Sequence, residues 1–443
     1  MKIQLSDHFT YNRLFRFVLP SIIMMIFTSI YGVVDGLFVS NYVGKTPFAA
    51  LNLIYPFIQV LGSVGFMLGT GGSAYVGKTL GEGKKEEANK YFSLLIYTAI
   101  IAGVVLAILG IVFVRPVARF LGADDAMISY CVIYARVILA ALPAFMLQNM
   151  FQSILITAEK PTMGLMITVA AGVTNMFLDW LFIVIFDWGL DGAALATAMS
   201  QCVGGIVPLL YFLRKNRSLL YLTKTEFNGK VLWYSCSNGI SELLSNISMS
   251  IVSMLYNFQL IHVAGENGIA AYGVIMYVQF IFIAIYIGYS IGTAPIISYN
   301  YGAGNHAELQ NIFKKSAVII IGCSIALTTT ALLLAGTLSR LFVGYDETLF
   351  AMTQRGFQLC SLSFLFCGIG IFGSSLFTAL NNGIVSAVIS FLRSVVFQVV
   401  AVLLLPIIWG IDGIWASVTL AELAGMLITL LFVIILKKRY HYM

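Results

Sequence analysis

Charge is scarce in this sequence. Only 10% of its 443 residues are Asp, Glu, Lys or Arg, against about 25% in an average soluble domain. A water-soluble globule could not clothe its surface from so small a stock, so an ordinary soluble enzyme is excluded. The same apolar bias excludes disorder. The 25 basic and 19 acidic residues leave a net charge of +6. No basic block is dense enough to grip a phosphate backbone, which excludes nucleic-acid binding. Cysteine is sparse too. Cys131, Cys202, Cys236, Cys323, Cys360 and Cys367 all lie inside apolar runs without a C-x-x-C pair, and read as small buried hydrophobes. His8, His262, His306 and His441 fall at loops or termini, far from the acids inside the apolar runs, which argues against an enzyme. No cleavage pattern follows the first apolar run, so no signal peptide is expected.

What is abundant is apolar: 60% of the residues are hydrophobic and the mean hydropathy is +0.93. A helix needs about 20 apolar residues to cross a hydrocarbon core. Twelve runs qualify, at 15–38, 48–75, 91–114, 128–153, 163–186, 193–213, 231–259, 269–295, 315–337, 356–377, 384–408 and 413–436. The connections are short and leave no room for a soluble domain. With the N-terminus inside, eighteen of the 25 Lys and Arg residues fall on inner segments, so both termini are expected in the cytoplasm.

The chain is also written twice. A shift of 221 positions lays Val43-Gly44 on Ala264-Gly265, Gly81-x-Gly83 on Gly302-x-Gly304, Arg119 on Arg340 and Gly189-Leu190-Asp191-Gly192 on Gly410-Ile411-Asp412-Gly413. Each half holds six spans, and an even number returns the chain to the side it left. The repeats are therefore parallel, related by a pseudo-two-fold axis along the membrane normal. The expected fold is an all-α polytopic membrane protein of twelve transmembrane helices in two six-helix lobes, 1–221 and 222–443. A cavity between rocking lobes is a transporter's design.

Ionisable groups inside a bilayer are expensive, roughly 2.5–3.5 kcal/mol for an Asp at mid-helix. Four acids lie well inside the spans: Asp35, Asp179, Glu242 and Glu422. Asp179 is one helical turn from Asn175 on the fifth span. Asn149 on the fourth and Thr197 on the sixth can face the same pocket, and Asp35 brings a second carboxylate. Such an all-oxygen set suits a hard cation such as Na⁺. Two carboxylates desolvated together can instead share a proton. The shifted partners of Asp35, Asn149, Asn175, Asp179 and Thr197 are Tyr256, Gly370, Val396, Val400 and Val418. Every one of these groups is missing from the C-terminal half, which confines the cation site to the N-terminal lobe.

The C-terminal half has its own set: Glu242, Arg393 and Glu422. Glu242 either helps recognise a cationic substrate, or the set is a buried ion pair that holds the lobe together. Tyr31, Tyr55 and Met276 are candidates for an aromatic, Met-rich substrate cavity with Glu242 and Arg393. Pro20, Pro56 and Pro143 suggest kinks. Gly72-x-x-x-x-Gly77-Lys78-Thr79 matches a phosphate-binding loop letter for letter. That loop works only between a strand and a helix, where its amides are free. Here it closes a membrane helix, so nucleotide binding is not expected.

The twelve spans in two sixes, Val34-Asp35-Gly36-Leu37-Phe38-Val39 closing the first span, Gly81-Glu82-Gly83 after the second and Asn175-x-x-x-Asp179 in the fifth together resemble the multidrug and toxic compound extrusion (MATE) family. The N-lobe polar set is most similar to its DinF-like branch. The resemblance covers essentially the whole chain. It implies an antiporter of the cell (inner) membrane that exports amphipathic, often cationic compounds in exchange for Na⁺ or H⁺. It implies no other cofactor and a monomer. It gives Asp35, Asn149, Asn175, Asp179 and Thr197 the cation-site role, and Pro20 the bend of the first helix. Glu242 is similar in place to an acid that other branches use on the seventh helix, so the pattern is mixed. A flippase for lipid-linked sugars in the same superfamily is the alternative. It would need several cavity cations for a diphosphate, and only Arg393 and Arg136 are available.

Overall fold

With no water in the hydrocarbon core, a spanning backbone must satisfy its own hydrogen bonds, and a helix does so within one segment. In the computed structural model, which describes residues 3–214, 218–344 and 346–443, the chain is almost entirely helical. The first three spans are Tyr11–Tyr42, Lys45–Gly81 and Lys85–Phe120. The fourth is two pieces, Ile128–Ala140 and Leu142–Thr157, bent by 59°. The fifth is Pro161–Asp179 and continues through a widened π turn, Trp180–Ile185; the sixth is Gly189–Leu213. A 74-residue stretch, Gly229–Gly302, is divided at Gly265 (φ 63°, ψ −151°) into the seventh and eighth. The ninth is His306–Val343, and the tenth is again bent, by 47°, between Glu347–Ser361 and Phe364–Ala379. The eleventh joins Gly383–Phe391 to Phe397–Trp409 through a second π turn, Leu392–Val396, and Ile411–Tyr440 is the twelfth. The described residues thus hold the twelve spans that the apolar runs imply, most of them extending past the apolar run at one or both ends.

The repeat explains most of the breaks. Gly44 (φ 106°) opens the second span, and its shifted partner Gly265 divides the seventh from the eighth. Both need a left-handed backbone that a side chain would strain. The pairs Gly83/Gly304 and Gly189/Gly410 repeat this at other turns. The bend in the fourth span is at Pro143, near the start of its second half, where a ring without an N–H costs no helical bond. The tenth span bends at the equivalent place with Phe364 and no proline, so the bend belongs to the repeat. The helices run unbroken through Pro20 and Pro56.

The two lobes meet at the face that carries both termini. A Cβ on Gly71 would fall inside the carbonyl of Ser235, and one on Gly239 inside that of Met67. The second and seventh helices therefore cross backbone to backbone. The shifted version of this crossing is also present. Gly292 and Gly288 of the eighth helix lie against Val18, Ser21 and Ile22 of the first. On the axis itself, a Cβ on Gly81 would strike the Tyr299 carbonyl, and one on Gly302 the carbonyl of Lys78, the partner of Tyr299. Gly72 and Gly77, the letters of the phosphate-loop match, are packing glycines of the second helix, against Leu95 and Ser298. Further along the same helices, Gly32, Gly36 and Gly273 have nothing within 4 Å of where a Cβ would point. The lobes are joined at the terminal face and part towards the other.

The N-terminal segment straps this joint. Leu5 and Phe9 are fully buried, in a core shared with Val18, Ile156, Ile296, Leu309, Phe377 and Tyr442. The Leu5 amide donates to Glu159 Oε1 in the N-lobe (2.9 Å), and its carbonyl accepts from Asn300 in the C-lobe (3.4 Å). The Phe9 amide donates to Glu308 Oε1 (2.9 Å), whose other oxygen meets His8 Nδ1 (2.7 Å).

The crossing makes a prediction. Gly239→Ala is expected to destabilise the purified protein by about 1–3 kcal/mol, since the overpacked neighbour is backbone and cannot rotate away. Gly322→Ala, where a Cβ meets nothing within 4 Å, should be neutral or slightly stabilising. Thermal unfolding in detergent compares the two.

Candidate functional site

Close approach of the first and fifth helices builds the site. A Cβ on Gly172 would lie 2.5 Å from Phe27 Cε1 and 3.1 Å from Tyr31 Cδ1, so the glycine lets the first helix lie against the fifth. Both helices run away from the terminal face. One and two turns further on, Asn175 and Asp179 come level with Asp35. The Asp35 carboxyl reaches the side chains of both. Asp179 is fully buried and Asn175 is 1% exposed. The chain enters its π turn immediately after Asp179, and such turns recur at functional sites.

These polar atoms are short of partners. Asp35 Oδ1, both carboxylate oxygens of Asp179, Asn175 Nδ2 and Thr197 Oγ1 are buried without a hydrogen bond. Among the described residues, no Lys, Arg or His forms an ion pair with either acid. A buried polar atom left unmatched costs about 1–3 kcal/mol, and a charged one more. The carboxylate oxygens of Asp35 and Asp179 in this state have the chemistry to take up a proton or a small hard cation.

The expected residues do not all behave alike. Asp35, Asn175 and Asp179 come together. Asn149 is buried, but its amide donates to the Gly62 carbonyl (3.1 Å) and so ties the fourth helix to the second. Tyr31 and Tyr55 lie within electrostatic range of Asp35, with Tyr55 42% exposed. The sequence reading missed Tyr134, which is 1% exposed and within range of Asp35 and Asp179. Its only signal was a hydroxyl on an otherwise apolar face of the fourth span.

Met276 is half-buried against the outer core of the C-lobe. In that lobe Arg393 donates from Nη1 to both Glu422 oxygens (3.0 and 3.2 Å). Gly370 and Gly425 make room for it: a Cβ on either would lie within 2.7 Å of the Arg393 stem. Glu242 is half-buried and lies in the field of Arg393. Tyr256, the partner of Asp35, donates to Gln398 (3.0 Å) and stacks on Tyr272. Where the N-lobe presents two unpaired carboxylates, the C-lobe positions equivalent to Asp35 and Gln201 hold Tyr256 and Glu422, both with side-chain partners. Removing one member of a buried pair strands the other, so Arg393→Met or Glu422→Gln alone should cost about 3–5 kcal/mol. The double variant should recover most of this loss in a thermal melt.

The comparisons with known proteins accord with this architecture. The MatE family model matches twice, at residues 20–181 and 243–404. The multidrug export protein MepA of Staphylococcus saprophyticus is 27% identical over 438 residues, covering 97% of this chain and 94% of the relative. MepA of Staphylococcus aureus is 24% identical over 435 residues with the same coverage. Among solved structures, a MATE in complex with MaL6 superposes with a TM-score of 0.93 at 22% identity, over 98% of each chain. An outward-facing multidrug resistance MATE transporter of the MOP superfamily gives 0.92 at 21%, also over 98% of each chain. The two family matches begin 223 residues apart, close to the shift of 221 that aligns the turn glycines. Matched over most of its length in two successive copies, this chain belongs to the MatE family of transporters.

Proposed function

We propose that the protein is a multidrug efflux antiporter, which exports amphipathic, often cationic small molecules by alternating access in exchange for Na⁺ or H⁺. The observation that carries this reading is the meeting of Asp35, Asn175 and Asp179 in one lobe of a duplicated fold, where Asp35 Oδ1 and both Asp179 oxygens are buried and unmatched. The names of the MepA relatives support the substrate class. We place the lobe boundary at 221/222, both termini in the cytoplasm and the protein in the cell membrane as a monomer. The charge asymmetry of the segments supports that orientation.

In this orientation the lobes are closed on the cytoplasmic side and part outwards. An ion from outside neutralises the Asp35/Asp179 pair, the first helix adjusts and drug leaves the cavity. The lobes then rock, the ion departs inwards and new substrate enters from the cytoplasm or inner leaflet. One charge crossing about 100 mV supplies ~2.3 kcal/mol, and a tenfold ion gradient about 1.4 kcal/mol. Together they hold a neutral substrate at a gradient of a few hundredfold. A monovalent cationic substrate exchanged one-for-one cancels the voltage contribution. The flippase alternative loses support because Arg393 is engaged by Glu422, leaving few cations for a diphosphate.

Efflux of ethidium from vesicles under separately imposed Na⁺ and pH gradients tests the reading. Asp35→Asn and Asp179→Asn should each slow ion-driven efflux at least about tenfold, a barrier change of ~1.4 kcal/mol. Ion-driven efflux at the wild-type rate in both variants would remove the proposal. The same variants should melt higher than wild type at high pH without Na⁺, by about 1–3 kcal/mol, because one of two close, unmatched carboxylates is gone.

A further inference from the structure

The polar character of the N-lobe does not stop at the acid pair. Gln201 lies one turn beyond Thr197 towards the terminal face, on the sixth helix. Gln148 and Gln152 are one turn apart on the second half of the fourth. Thr168 precedes Asn175 by two turns on the fifth. Gln148, Gln152 and Thr168 line one small cavity with Gly164, Gly204 and Pro208. It measures about 10 Å³, room for about one water-sized particle. Gly204 admits the glutamine, since a Cβ there would lie 2.6 Å from Gln148 Cδ. The four side chains are buried, at 8%, 5%, 7% and 6% exposure for Gln148, Gln152, Gln201 and Thr168. Yet Oε1 of all three glutamines lacks a donor.

The other lobe shows that this is not a demand of the fold. The shifted partners of Gln148, Gln152 and Thr168 are Ile369, Gly373 and Ile389, and that of Gln201 is Glu422, which Arg393 holds. The nearby C-lobe hydroxyls of Ser374, Thr378, Ser386 and Ser390 bond to one another. Among the described residues, unmatched glutamine oxygens thus occur only in the lobe that carries Asp35 and Asp179.

We propose that Gln148, Gln152, Gln201 and Thr168 form a second, weaker cation station, through which the coupling ion passes from the acid pair towards the terminal face. This rests on the reading of Asp35 and Asp179 as the ion site. Around the cavity two amide oxygens and a hydroxyl accept Na⁺ or the donor hydrogens of a protonated water, and Gln201, on the sixth helix between Thr197 and the cavity-lining Gly204, offers a third amide oxygen on the way to it. Without a carboxylate they hold neither for long, and a conducting site must bind weakly enough to release. The station lies roughly 10 Å along the helix from Asn175, and Gln152 is about as far from Glu159 at the terminal face. It spans the gap that an ion leaving the acids inwards has to cross.

The test uses the full-length protein. Gln152→Leu and the double variant Gln148→Leu/Gln152→Leu are compared with wild type, Asp35→Asn and Asp179→Asn. Na⁺ and proton binding at the acids is read in detergent, and ethidium efflux and ion-free ethidium exchange in proteoliposomes. The station predicts equilibrium ion binding within about twofold of wild type, unchanged ion-free exchange, and ion-driven efflux slowed about tenfold or more. A defect confined to the Na⁺ gradient identifies the passing ion as Na⁺, and one confined to the pH gradient identifies a proton. Unchanged ion-driven efflux in the double variant overturns the station, as does loss of ion binding along with efflux. Wild-type efflux in Asp35→Asn and Asp179→Asn overturns the underlying ion-site reading instead. Gln152→Glu keeps the shape and adds a charge, so it decides the matter even if the leucine variants fail to fold. It should bind the cation several-fold tighter and turn over more slowly, and unchanged affinity and turnover would overturn the station.

Discussion

A polar atom inside the hydrocarbon core has to find its partner within the protein, and the rest of this structure depends on how that demand is met. The backbone meets it with helices. Side chains meet it unevenly. In the C-lobe Arg393 has Glu422, Tyr256 has Gln398, and Tyr289 has Ser316. The unmatched carboxylate and carboxamide oxygens gather in the N-lobe, on Asp35, Asp179, Gln148, Gln152 and Gln201. Outside it, the only such oxygens among the described residues belong to Asn238 and Asn381, where the lobes meet. Those two residues use their amide nitrogens across the packed helices, Asn238 to Thr378 and Asn381 to Ala74. The N-lobe cluster has no such structural explanation.

The lobe joint is symmetric where the site is not. Gly71 against Gly239 is repeated by Gly292 against Val18, and Gly81 and Gly302 exchange places across the axis. Backbone crossings of this kind pack closely without side-chain interlocking, so they allow two helices to separate and close again without unlocking a core. The strap from Leu5 to Phe9 adds contacts to both lobes, through Glu159 on one side and Asn300 and Glu308 on the other. Opening the terminal face therefore means breaking a few hydrogen bonds and exposing one shared apolar core.

Much of this was legible in the residues. Apolar runs located the twelve spans, and the turn glycines gave the repeat its register, because a left-handed backbone restricts residue choice more sharply than a lipid-facing position does. Asp35, Asn175 and Asp179 stood out because charge in lipid is costly. The bend at Phe364 was hidden, since no proline marks it. The tie of Asn149 to Gly62 was hidden for a similar reason: spacing says which helix carries a residue, but not which neighbour its amide meets. Tyr134 and the glutamines left little trace. An uncharged polar residue in a span usually bonds to a neighbouring helix, and only coordinates separate that case from an unmatched one.

A symmetric joint and an asymmetric ion site leave one question: how occupancy in one lobe biases a motion shared by both. The first helix connects them. Asp35 sits near one end of it, and seventeen residues earlier Val18 packs on Gly292, roughly 25 Å away along the axis. Pro20 lies between the two contact points of the joint, Val18 and Ile22. It cannot donate to the Arg16 carbonyl, so the helix lacks one hydrogen bond where it crosses the eighth. A rod gripped by the ion site at one end and weakened at the crossing passes a change in the Asp35 contacts to the joint as a change of angle. The equivalent helix of the other lobe, the seventh, has Tyr256 locked to Gln398 in place of Asp35 and Ser241 in the place of Pro20. On the proposed mechanism the drive therefore enters through the first helix alone, and the C-lobe is the surface it works against.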